Sequence, residues 1–154
     1  MDLKVIASIS GKSGLFKVIK PTRTGLIVES IDEKKLRTAI GANSRVSVLK
    51  EVSMYTTDGD GSTPLANVLL SIFEKYGGKE LPYNNKSSAE ELSKFLLEVL
   101  PNADTTKIYQ SDLKKLVSWY NILIKFSPQT FELLKNPEEN SEKREKENIQ
   151  ENNT

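Results

Sequence analysis

The sequence predicts an α+β chain: an N-terminal five-stranded SH3-like small β-barrel, a three-helix C-terminal domain and a disordered acidic tail. Three observations lead there. Apolar residues alternate in short runs up to about residue 56. They switch to a spacing of three and four from residue 65 onward. The last stretch has almost no apolar residues. Period two is the signature of half-buried strands, period 3.6 that of amphipathic helices, and a polar, charged segment has too little to bury to repay the entropy of ordering. The boundaries that follow are 1–57 for the barrel, 58–63 for a linker, 64–135 for the helical domain and 136–154 for the tail.

The strands are LKVIASI, GLFKVIK, GLIVESI, LRTAIG and RVSVLKEVSMYT, the last with a helical turn at Leu49–Glu51. Between them stand GKSG, PTRTG, DEKK and ANS, which are turn compositions. Strands so short and so closely spaced suggest a small barrel or sandwich, and the size fits an SH3-like barrel ahead of an OB-fold, which is usually larger. Its inward set is read as Val5, Phe16, Val18, Leu26, Val28, Ile40, Val46, Val48 and Met54.

The GKSG turn imitates the end of a phosphate-binding loop, but the motif fails. Its first glycine would fall at position 6, which is Ile6, and the chain after Ser13 alternates like a strand where a helix is needed. Glycines at 11 and 14 of a tight turn explain the same letters. TTDGDGSTP, residues 56–64, similarly imitates a calcium loop. With Gly61 as its sixth residue, the closing glutamate position is Asn67. A linker with Thr63 as N-cap and Pro64 as first helical residue is the simpler reading.

In the helical part, Leu65, Val68, Leu69, Ile72, Phe73 and Tyr76 form one stripe, ended by Gly77-Gly78. Ser88 with Glu91 forms a capping box before Leu92, Phe95, Leu96, Val99 and Leu100, and Pro101 stops that helix. Ser111 is the expected cap of a third helix running to about Lys125. One stripe of that helix is Leu113, Leu116, Val117, Tyr120 and Leu123; a second is Trp119, Ile122 and Phe126. A helix apolar over so much of its surface must be covered on two sides. Phe131–Lys135 permits a further short helical stretch, although the predicted architecture counts three helices.

Composition removes several chemistries. The chain has no cysteine and no histidine, which excludes thiolate sites, disulfides, histidine metal ligands and a Ser-His-Asp triad. No cofactor and no metal are expected. Carboxylate chemistry would have to use Asp104 with Asp112, or Asp58 with Asp60. Each is explained more simply as a cap or turn residue, so a non-enzymatic protein is expected. No run approaches the ~18 apolar residues of a membrane span and the first residues lack the form of a signal peptide, so a cytoplasmic protein without membrane contact is the expectation.

Charge is unevenly placed. Residues 1–57 carry a net of +5, residues 58–136 a net of −1 and residues 137–154 a net of −3. Two functions follow. The first is a protein-interaction adaptor using the helix face Trp119, Ile122 and Phe126. The second is RNA or DNA binding by the basic barrel through Lys12, Lys17, Lys20, Arg23, Arg37 and Arg45. The adaptor is favoured, because the barrel offers only Phe16 and Tyr55 as aromatic platforms for bases. The sequence sets no oligomeric state.

The segments SISGKSGLFKVI, TGLIVES, VSMYT, TPLANVL, EVLPNAD and IYQSDLKKLVSWYNIL together resemble an uncharacterised family of short Bacteroidetes proteins, known only as a domain of unknown function. The resemblance covers about residues 2–127. It implies a small N-terminal β-domain followed by a helical domain. It carries no activity, so no functional residue transfers.

Overall fold

The computed structural model describes residues 1–135 of the chain; the expected acidic tail, 136–154, lies outside the described residues. A 3-10 turn, Leu3–Val5, opens the fold, with the Asp2 carboxylate accepting from the Lys4 N–H at 2.7 Å. Then come β1 (Ile6–Ile9), β2 (Phe16–Pro21), β3 (Gly25–Ser30), β4 (Arg37–Gly41) and β5 (Val46–Val48), followed by a 3-10 turn at Leu49–Glu51 as expected. The hairpin β6 (Ser53–Tyr55) and β7 (Ser62–Pro64) leads into α1 (Leu65–Lys75), α2 (Ala89–Val99), α3 (Gln110–Phe126) and α4 (Gln129–Lys135). The mixed α+β class and the change of period near residue 60 are as the sequence predicts.

Two parts of the predicted architecture are corrected. The five-stranded SH3-like barrel is an open antiparallel sheet in the order β4-β3-β2-β1-β5, and there are four helices among the described residues where three were expected. The sheet curls without closing. Ile40 of β4 and Val46 of β5 join one small cluster with Ile9 and Val28, although their strands stand at opposite ends of the sheet. The edges therefore approach through side chains. Three-residue β5 gives its ladder to β1, with Ala7 opposite Val48 and Ile9 opposite Val46, and no ladder links it to β4. The register shift between Val18 and Lys20 is a bulge that bends β2 in the middle of the curl.

β1 explains why the inward set was incomplete. Ile9 belongs to the small cluster, whereas Ile6 joins a larger core with Leu3, Leu15, Ile31 and Leu49 and with the buried faces of the helices. The strand is buried on both faces because helices cover the side left to solvent in a free-standing barrel. Of the predicted inward residues, Val28, Ile40 and Met54 are buried, and the other six are half-buried.

The helices begin and end largely as the sequence indicates. The Ser88 hydroxyl accepts from the Glu91 N–H at 3.2 Å at the start of α2. Past α1, Gly77 takes a positive φ of 63° and the Gly78 N–H returns to the Phe73 carbonyl at 3.0 Å, a Schellman closure. Two caps differ. Pro64 precedes α1, with Thr63 in β7, and α3 starts from Tyr109, whose N–H donates to the Asp112 carboxylate at 2.9 Å. Tyr109 thus holds the cap position expected of Ser111, and Asp112, three residues on, bonds back to it. α4 is fastened by Phe131, whose ring stacks on Phe73 at 4.8 Å and meets Tyr120 edge-on at 5.4 Å. Among the described residues no helix is long and apolar enough to cross a membrane.

A candidate binding groove at the junction of sheet and helices

The GKSG turn finds its role at this junction. Gly11 and Gly14 take φ values of 83° and 84°, the left-handed turn geometry that glycine supplies without strain. The turn comes up against α3: a methyl group added at Gly14 would lie 4.0 Å from the Ile122 side chain. Between the turn, β1, β5 and α3 runs a groove of about 620 Å³. Its cations are Lys12 from the turn, Arg45 from just before β5, and Lys114 and Lys115 from α3. Its remaining polar wall is mostly serine hydroxyl, with Asn85 from the α1–α2 connection, and no carboxylate lines it. None of the four cations is ion-paired among the described residues, where the pairs are Arg37–Glu29, Lys75–Glu98 and Lys135–Glu132.

A second cavity of about 260 Å³ shares Ser8, Ser47, Lys115 and Trp119 with the groove, so the two are continuous. It is more apolar, with Val52, Met54, Leu65 and Tyr55 among its walls, and it also carries Asp112, whose carboxylate is engaged at the start of α3. Trp119 stands where they meet. It packs against the main core and is half-buried, so the remainder of the indole is open to both spaces. Tyr55 is 51% exposed, with the Lys107 ammonium 5.6 Å from its ring centroid.

The loop that carries Asn85 is held by α3. The Leu81 N–H donates to the Asn121 side-chain oxygen at 2.8 Å, the Asn121 amide donates to the Tyr83 carbonyl at 3.1 Å, and the Tyr120 hydroxyl donates to the Lys79 carbonyl at 3.2 Å. Burial pushes the Tyr120 hydroxyl up to about 12, so it remains a donor across the physiological range.

The six basic residues singled out from sequence are not one surface. Lys12 and Arg45 enter the groove. Lys17, Lys20 and Arg37 occupy the sheet face that also carries Glu29, since Lys17 and Arg37 both pair in register with Glu29 and Lys20 pairs with Ile27. The Arg37 guanidinium reaches the Glu29 carboxylate at 3.4 Å, which offsets part of that face's charge. Arg23 lies exposed in the β2–β3 turn. Of the proposed helix interface, Trp119 opens on the groove, while Ile122 and Phe126 are half-buried against the main core.

Sequence reasoning missed Lys114 and Lys115. The signal was present: one helical turn before Trp119, the second stripe of α3 begins at Lys115, so a lysine and an indole share that face. Three of the four carboxylates considered for catalysis, Asp104, Asp112 and Asp58, are locally engaged. Asp104 accepts from both the Thr106 hydroxyl and its N–H, and the hydroxyl in particular holds its carboxyl below the usual range. Asp112 caps α3, and Asp58 accepts from the Asn102 amide.

An open sheet packed on a helical layer, with a cation-lined groove at the seam, defines a small α+β chain, an architecture that does not itself fix an activity. Residues 3–49 match the model of a family described as Domain of unknown function (DUF5606), and residues 52–123 match another described as Domain of unknown function (DUF6852). A solution NMR structure of a structural-genomics target from Bacteroides vulgatus is similar, with 42% sequence identity and a TM-score of 0.67 over 79% of this chain and 85% of that one. No curated protein matches the chain. The chain belongs to an uncharacterised Bacteroidetes family of domains of unknown function, as the resemblance indicated.

Proposed function

We propose that this protein is a non-enzymatic binding module that holds an anionic partner in the groove between the GKSG turn and α3. The observation that carries this reading is the convergence of Lys12, Arg45, Lys114 and Lys115, from three separate elements, on one groove that has no carboxylate in its own lining, Asp112 standing in the adjoining cavity. Four like charges repel one another, and a groove with low-dielectric walls focuses their field. An anion placed there relieves the repulsion and recovers charge-assisted hydrogen bonds. This reading keeps a non-enzymatic binding role, but puts it at the lysines of α3 where the sequence pointed to the helix's apolar stripe.

The test is retention on immobilised heparin, a generic polyanion, eluted by a salt gradient. The K12A/K114A/K115A variant is expected to elute at clearly lower salt than wild type. K17A/K20A/R23A, which removes as many charges outside the groove, is expected to shift much less. All six positions are at the surface or half-buried, so circular dichroism should show both variants folded. Equal shifts from the two variants would reduce the effect to net charge and remove the groove from the argument.

A further inference from the structure

Resting on that reading, we infer that the anion is the phosphate backbone of a single-stranded nucleic acid, whose base stacks on Trp119 beside the smaller cavity. The arrangement is the one such ligands require: cations along a groove, and an aromatic face where the groove gives way to an apolar recess. The groove supplies Lys12, Arg45, Lys114 and Lys115 for phosphates. The recess supplies the open part of Trp119, with Tyr55 on its wall. A phosphorylated peptide would use the cations and leave both rings without a role. A duplex keeps its base faces inside its own stack, where a ring set in a concavity cannot reach them. The β-part has few aromatics for bases, but α3 brings the Trp119 indole to the edge of the sheet. The phosphate and the π-face of a base are common to RNA and DNA, so the class is single-stranded nucleic acid of either sugar.

Trp119 is the chain's single tryptophan, so its fluorescence reports on the site directly. The experiment titrates the full chain with a dT decamer, a U decamer and a duplex decamer, each over a range of salt. Saturable quenching is expected with the single strands and not with the duplex. Either sugar preference, or none, agrees with the inference and identifies the source. If all four cations meet phosphates, the plot of log affinity against log salt should slope at about −2.8, from roughly 0.7 per phosphate neutralised on a single strand. K114A/K115A should flatten that slope by about 1.4 and weaken binding about tenfold or more at low salt. K17A/K20A should leave the quenching curve nearly unchanged. W119F, which retains a ring in the core, should keep measurable affinity by fluorescence anisotropy of a labelled decamer.

Two results overturn the inference. One is an absence of quenching by either single strand while retention on heparin still depends on the groove; the anion-binding reading then stands and the nucleic acid is wrong. The other is groove-dependent binding of a phosphorylated peptide without an oligonucleotide response. Loss of heparin retention as well would remove the anion-binding reading itself.

Discussion

Replacing Phe131 by alanine is expected to cost about 3–5 kcal/mol of stability, the range for removing a fully buried aromatic ring. Phe131 is 0% exposed. Its ring is shared by three helices: it stacks on Phe73 of α1, meets Tyr120 of α3 edge-on and belongs to α4. α4 is also anchored by Leu134, which packs on the main core, and by Lys135, whose ammonium lies 4.5 Å from the Phe73 ring centroid. Its Thr130 hydroxyl is buried, pairs with that of Ser127 at 2.8 Å and lies 2.7 Å from the Met1 carbonyl. Loss of the ring should therefore loosen α4 and the N-terminal residues together. Urea denaturation measures the loss, and F131L, which refills most of the volume, should recover more than half of it. An F131A protein with an unchanged midpoint would show that α4 contributes little to the fold.

Gly25→Ala is the second large effect, at about 3 kcal/mol, the upper end for forcing extra volume into a packed region. The constraint is space. A methyl group at Gly25 would lie 1.8 Å from the Ile40 carbonyl oxygen and 2.9 Å from the carbonyl carbons of Ile40 and Gly41. These are backbone atoms of the neighbouring strand, so no rotamer change relieves the clash. β3 and β4 must part at the end where Gly25 faces Gly41, displacing buried Ile40 and straining the hydrogen bond from Ala42 N–H to the Thr24 carbonyl. A fall in melting temperature of roughly 10 °C is expected for a chain of this size. By contrast Gly41, on the other strand of the same pair, has open space at its Cβ, and G41A should shift the melting temperature by far less. Equal effects at the two positions would refute the steric account.

These two residues mark the limits of what was legible in the sequence. The long helices were readable because their stripes repeat over eleven or more residues, and Ser88 announced its cap three residues before Glu91. α4 spans seven residues, too few for a period to stand out, and what orders it is the meeting of Phe131 with rings 58 and 11 positions earlier in the chain. Gly25 reads as one more turn glycine, because the Ile40 carbonyl that forbids a side chain is brought there by strand pairing. The open sheet was misjudged as a barrel because alternation reports that a strand has an inside face but not whether the first and last strands join. At the candidate groove, the cations of the turn and just before β5 were singled out correctly as charges. Their grouping was not legible, since Lys12 meets Lys114 only through the packing of α3 on the sheet. Asn121, which holds the 79–83 loop, sits between two apolar stripes as an unremarkable polar residue.

The shared core has a consequence for how the molecule comes apart. Two family models divide the chain between residues 49 and 52, but Leu3, Ile6, Leu15 and Leu49 bury themselves among helical side chains from beyond that division. Melting of either half would wet apolar surface of the other. The sheet and the helices are therefore expected to unfold together, taking with them the groove whose walls come from both, and coincident urea transitions by Trp119 fluorescence and circular dichroism would check it.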